Sequence, residues 1–175
     1  MAIVSRMSFY DLSLFSFVPK LEQEWSVIRA ELLALKDSHF IPWPEKNIYD
    51  RGWNVFGLHE FGKKMEENCR LCPETTRLVE SIPGMTTAGF SSLSGGSQIK
   101  PHRGYTDEVL RYHLGLIVPE PEKCGLRVGS LLRHWEEGKS LIFDDTFEHE
   151  AWNRGDATRI VLLVDFAVSS PIKRF

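Results

Sequence analysis

The sequence predicts a mainly β domain of sandwich or barrel type, preceded by helices, and three observations carry that reading. From residue 85 onward, "TTAGFSSLSGGSQIKPH", "LRYHLGLIVP", "GLRVGSLLRHW", "GKSLIFDDT", "HEAWN" and "TRIVLLVDFAV" are short β-rich runs split by Gly, Pro and Asp turns. Helical periodicity is confined to the N-terminal part. At 175 residues the chain suits one domain that removes about two-thirds of its surface from water on folding, and it shows no internal repeat, low-complexity tract or linker. We therefore expect a single domain over 1–175, with a helical and irregular part over 1–84 laid against a β core over 85–168.

The opening "MAIVSRMSFYDLSLFSFVPK" is apolar but interrupted by Arg6 and Asp11, and no small-residue cleavage site follows. It reads as an arm packed on the domain rather than a signal peptide. Leu21, Trp25, Ile28, Leu32 and Leu35 recur at spacings of four and three, which predicts one helix over 20–36. Two prolines and several bulky aromatics make the next stretch irregular, with short strands around Trp53 to Leu58. Pro73 and the Pro83-Gly84 pair bracket a short helix over 74–81.

Composition narrows the partners. A net charge of −3 provides no field for gripping nucleic acid, and the apolar runs fall below the roughly 18 residues that suggest a membrane span. Three cysteines without a secretory signal argue for a reducing, cytoplasmic setting. Cys69 and Cys72 form a CxxC that lacks the other ligands of a zinc site and the context of a redox motif, so they read as structural thiols.

The chemistry lies in the β part. Alternation along "RYHLGLIVP" puts Arg111, His113, Gly115 and Ile117 on one face, and Tyr112, Leu114, Leu116 and Val118 on the other. Burying Arg and His on an inner face costs several kcal/mol unless an anion pairs with them, so an anionic ligand is expected there. In "TRIVLLVDF", Arg159, Val161, Leu163 and Asp165 likewise share one face. Two imidazoles, His102 and His149, can bind a divalent iron, and an arginine one strand beyond the second can grip a carboxylate bidentately. That order outlines an iron- and 2-oxoglutarate-dependent oxygenase.

At "KPHRG", "RYHLGLIVP", "WEEGKSLIFDDTFEHEAWN" and "RIVLLVDF" the chain resembles the aspartyl/asparaginyl β-hydroxylases, a group that includes lipid A hydroxylases and some amino-acid hydroxylases; the resemblance runs from about residue 20 to 167. It implies a double-stranded β-helix, a cupin-like jelly-roll barrel, with Fe(II) as cofactor and 2-oxoglutarate and O2 as cosubstrates. Many members lack the usual carboxylate ligand, which accounts for Gly104 two residues after His102. The resemblance makes His102 and His149 the metal ligands, places Ser91, Arg111, His113 and Arg159 around 2-oxoglutarate, and gives Asp145 a hydrogen bond to iron-bound water. It implies hydroxylation of an amino-acid-type substrate, foremost the β-carbon of Asp or Asn, as a small molecule, in a peptide or on a carrier. Lys100, Arg103 and Arg154 are the candidate grips for an anionic substrate.

Other readings stand beside this one: another amino acid or a lipid acyl chain as substrate, or a non-catalytic jelly-roll binding module. Arg111 and His113 could instead pair with Asp144 or Glu150 at the barrel rim. His39, His59 and His134 are expected to bind no metal. Trp25, Trp53 and Trp135 read as packing, Trp152 as near enough to His149 to line a substrate pocket, and "WEEGK" as a solvated turn. Residues 40–65 and 103–110 should form the substrate-facing loops.

Overall fold

The computed structural model describes residues 6–168. In chain order the strands are β1 (Ile41–Pro42), β2 (Trp53–Glu60), β3 (Lys63–Lys64), β4 (Met85–Leu93), β5 (Ser97–His102), β6 (Val109–Ile117), β7 (Cys124–Val128), β8 (Leu131–Arg133), β9 (Ser140–Phe143), β10 (His149–Asn153) and β11 (Arg159–Ala167). The helices are α1 (Val18–Gln23), α2 (Trp25–Ala34), α3 (Glu66–Leu71) and α4 (Pro73–Glu80). A main sheet runs β1-β2-β4-β11-β6-β9, with β3 on β2, and a smaller one runs β5-β10-β7-β8; every pairing is antiparallel. From β4 onward the chain passes from sheet to sheet, apart from the β7–β8 hairpin, which is the jelly-roll path. The two sheets form an open sandwich rather than a closed barrel.

The central strands β6 and β11 are buried on both faces, so their two alternating residue sets belong to different cores. Tyr112, Leu114, Leu162 and Val164 face the helices and pack with Leu21, Ile28, Leu32 and Leu78. Val161, Leu93 and Phe143 face the smaller sheet and pack with Ile99, Leu126 and Ala151. The alternation predicted along β6 holds as far as Leu116. A register shift between Ile160 and Val161 of β11 then reverses it, so that Ile117 joins the helix-side core and Val118 the inter-sheet core.

The helix predicted over 20–36 is two helices broken at Glu24, whose ψ of 9° departs from helical geometry. Pro19 opens the first at Val18, and the Glu22 carboxylate accepts from the Ser140 amide at 3.0 Å, fixing α1 to β9 before α2 changes direction. The helix expected over 74–81 is α4, whereas α3 carries a single buried residue, Cys69, and so offers no apolar stripe to read. All three cysteines are buried free thiols. Over its described residues the N-terminal arm lies along β9: Tyr10 donates its amide to Ile142 O, and Arg6 Nε sits 2.9 Å from Asp144. Among the described residues no helix is long and apolar enough to cross a membrane.

Candidate active site

His102 closes β5 and His149 opens β10, and the two are direct partners across that strand pair. The register brings their rings to 4.2 Å between centroids. Each Nδ1 lies on a backbone carbonyl two residues earlier, His102 on Lys100 O at 2.7 Å and His149 on Phe147 O at 2.9 Å. A carbonyl only accepts, so both Nδ1 atoms carry the proton and both Nε2 lone pairs are available to a metal. Burial lowers both pKa values, that of His149 to about 3 with the neighbouring His102 as second cause. The pair is therefore neutral, with unprotonated Nε2 atoms, at physiological pH, which is the state a divalent metal requires.

Behind it lies a narrow cavity of about 30 Å³ bordered by Ser91, His102, Arg111, His113, His149 and Arg159. Apart from His102 and His149, its polar groups can all donate. Trp135 Nε1, which can only donate, reaches His113 Nδ1 at 3.1 Å; the His113 proton must then reside on Nε2, a buried atom without a partner. Burial, with Arg159 and Arg111 nearby, holds the His113 pKa well below its ordinary value, so the ring is neutral. Ser91 Oγ accepts from Trp53 Nε1 at 3.0 Å, leaving its own hydroxyl hydrogen to donate. Arg159 is 1% exposed, its Nε has no partner, and its guanidinium lies 4.5 Å from the Trp135 ring. No carboxylate among the described residues pairs with it, and burial pulls its pKa down to about 10. A buried cation beside two neutral donors fits a carboxylate.

Arg111 separates this cavity from an outer groove of about 320 Å³ that also reaches His102. Its Nε and Nη2 grip Asp165 at 2.8 and 2.9 Å, and Nη2 lies 3.6 Å from Asp145. Burial opposes its charge, but Asp165 and Asp145 more than offset that and raise its pKa. Arg111 is therefore a wall braced by acids, while Arg159 is the cation left open to a ligand. Asp145 is fully buried, neither of its oxygens is hydrogen-bonded, and burial raises its pKa to about 6. A Cβ on Gly104 would come within 2.3 Å of the Asp145 carboxylate. Glycine at 104 thus leaves room for the Asp145 carboxylate, and among the described residues no group of three His, Cys, Asp or Glu could hold a metal.

The model for aspartyl/asparaginyl β-hydroxylases matches residues 22–168. The chain belongs to that family. Among curated relatives, the ornithine lipid ester-linked acyl 2-hydroxylase of Rhizobium tropici is 46% identical over 94% of this chain and 61% of its own length. The human aspartyl/asparaginyl β-hydroxylase is 38% identical over 85% of this chain and 20% of its own. The chain thus spans about three-fifths of the first and one-fifth of the second. Two solved structures share the fold at low identity: a predicted oxalate decarboxylase from Thermotoga maritima (TM-score 0.50, 12% identical, 77% of this chain and 99% of that one) and a putative glyoxylate-induced protein from Pseudomonas aeruginosa (TM-score 0.52, 6% identical, 78% and 41%).

Within this β-hydroxylase-family chain, six of the residues singled out from sequence border one cavity, and Asp145 joins His102 and Arg111 on the groove. Several expectations change. The partner of Arg111 is Asp165, since Asp144 is engaged by Arg6 and Thr146, and Glu150 by Arg127. Trp152 borders neither cavity, because alternation along β10 turns it away from His149; it packs against Gly125 and Arg154 instead. "WEEGK" is a turn before β9 with Glu136, Glu137 and Lys139 exposed, as expected, but its Trp135 is 1% exposed and Glu137 accepts from the Val118 amide. Trp135 and Trp53, read as packing, are the residues that orient His113 and Ser91. His59, His39 and His134 spend ring nitrogens on Glu80, the Lys36 amide and backbone carbonyls. Of the cationic candidates, Arg103 borders the groove but donates to Thr146 O at 2.8 Å, and Lys100 and Arg154 do not border it.

Proposed function

We propose that this chain is an Fe(II)- and 2-oxoglutarate-dependent hydroxylase acting on an apolar acyl chain. The observation that carries the oxygenase reading is the cavity where Arg159, His113 and Ser91 present donors beside two neutral, Nε2-available histidines. His102 and His149 hold the metal, and Arg159, His113 and Ser91 hold a carboxylate of 2-oxoglutarate. Ferrous iron with 2-oxoglutarate and O2 supplies the oxidising power that puts one oxygen atom into an unactivated C–H and the other into succinate, with release of CO2. The protein contributes orientation and exclusion of water. Lysine-free and walled by Trp53, Trp135 and Phe143, the cavity surrounds a carboxylate with buried side chains, which strengthens the grip. Asp145, held beside Arg111 and facing the groove, is an acceptor within reach of water at the metal side.

The groove supports the acyl substrate. Ile41, Trp43, Val55, Phe61, Met65 and Leu163 give it an apolar lining; of its two arginines, Arg111 is held by Asp165 and Arg103 donates to Thr146 O. A 46%-identical relative named as an acyl 2-hydroxylase supports the same reading. The test offers iron-reconstituted protein a detergent-solubilised long-chain acyl amino-acid lipid and, separately, Asp- and Asn-containing peptides, with succinate and product mass as readouts. We expect succinate and one added oxygen on the acyl chain. Oxygen added to the peptides alone would return the substrate to the β-carbon of Asp or Asn.

A further inference from the structure

We propose that the wall of the outer groove at His59 and Glu60 is a subsite for a primary ammonium carried by the substrate; the proposal rests on the acyl-substrate reading and adds a polar group to that chain. His59 is 8% exposed and borders the groove near the end of β2, just past the register shift between Gly57 and His59. Its Nε2 lies 3.0 Å from Glu80 Oε1, and Lys64 Nζ lies 2.8 Å from the same oxygen. Lys64, with His59, holds the Glu80 carboxyl below its ordinary pKa, so it is ionised and can only accept. The proton between the two side chains therefore sits on His59 Nε2, and the neutral ring offers the Nδ1 lone pair. Nδ1 has no hydrogen-bond partner among the described residues and, unlike His113 Nε2, it is not sealed from solvent. A histidine nine-tenths buried, oriented by a carboxylate and left with an open acceptor, calls for a donor from the groove.

Charge narrows that donor to a cation. Glu45, Glu60, Asp145 and Asp165 border the groove against Arg103 and Arg111. Arg111 is taken by Asp165, with Asp145 next to it. Glu60 is exposed and forms no ion pair among the described residues, even with Lys63 opposite it on β3. An ammonium has three N–H donors and no acceptor, so it can donate to His59 Nδ1 and to Glu60 together. A carboxylate in its place would meet the Nδ1 lone pair and the Glu60 charge, and both repel it. Val55, Met65 and Leu163 continue the same groove as apolar lining, which suits the alkyl part of such a ligand.

The test is calorimetric binding of octylamine, octyltrimethylammonium and N-octylacetamide to the chain loaded with zinc and 2-oxoglutarate. The trimethyl compound keeps the charge without an N–H, and the acetamide keeps one N–H without the charge. We expect octylamine to bind about tenfold more tightly than either. That preference should vanish in His59→Phe and shrink severalfold in Glu60→Gln. Glu60→Gln changes an exposed residue and should melt like wild type, so it decides the matter where His59→Phe fails to fold. Equal affinity of wild type for all three probes, octylamine that does not bind, or a preference unchanged in either folded variant overturns the proposal. Oxidation in detergent separates it from the acyl reading. An acyl ester without an amine that is oxidised as readily as one with an amine overturns the ammonium subsite and leaves the acyl reading standing. Oxidation of neither ester, with the octylamine preference intact, removes the acyl reading and keeps the subsite.

Discussion

Replacing Arg159 with methionine should stabilise the apoprotein, a test of whether this arginine is held for a ligand. The side chain is 1% exposed with no acid paired to it among the described residues, and burial takes its pKa from 12.5 to about 10. A fall of about 2.5 corresponds to roughly 3 kcal/mol of penalty on the charged form. The Trp135 ring at 4.5 Å returns about 1 to 2 kcal/mol. Arg159→Met, similar in length and apolar, should therefore gain roughly 1 to 2 kcal/mol, or a rise of about 3 to 6 °C in Tm for a chain of this size. Ligand reverses the order. Wild type with a redox-inert divalent metal and 2-oxoglutarate at about a hundred times Kd gains about 2.7 kcal/mol, and the variant gains little beyond the metal's share. Thermal and urea unfolding with and without ligand measure both effects. A destabilised apo variant that still responds fully to 2-oxoglutarate would refute the reasoning.

Other expectations follow from the same geometry. Trp135→Phe removes the indole N–H that fixes the His113 tautomer, so KM for 2-oxoglutarate should rise about tenfold with metal affinity unchanged, read by steady-state kinetics and metal titration. Gly104→Asp sets a side chain within 2.3 Å of the Asp145 carboxylate; unfolding should show a loss of about 2 kcal/mol or more, with no gain in metal affinity, and Asp145→Gly in the same chain should relieve it. The folded pKa of His149, about 3, lies below its unfolded value of about 6.5, so the unfolded state binds more protons between them. That contribution to apoprotein stability is complete above pH 6.5 and is lost as pH falls toward 3, and His149→Leu should flatten the acid limb. Asp145 acts oppositely, since its raised pKa of about 6 makes its contribution fade as pH rises through 6; Asp145→Asn should therefore stabilise the apoprotein at pH 7.5 and not at pH 4.5.

Strand alternation made the inner face legible: Arg111, His113, Arg159 and Asp165 were placed there by a period of two, and the structure keeps all four there. What alternation cannot supply is pairing across strands. The Arg111–Asp165 grip depends on the β6–β11 register, which no local pattern fixes, so Asp144 and Glu150 looked equally available. The orienting tryptophans were hidden for a related reason. Trp135 lies outside the regular strands, in a segment with no period to show its direction, and Trp53 reads as one aromatic among many. The swap of Ile117 and Val118 follows from a register shift, where a period of two ceases to apply. Glu24, which breaks the long helix, lies within an unbroken apolar stripe, so the break has no local signal.

The most direct test of the two-histidine site with its carboxylate cradle is an anaerobic titration with ferrous iron and 2-oxoglutarate, following the visible charge-transfer band in wild type, His149→Ala and Arg159→Met. The account predicts a band that requires both additions, vanishes in His149→Ala, and needs far more 2-oxoglutarate in Arg159→Met. A band unchanged in either variant, or no band from folded wild type with iron bound, would contradict it.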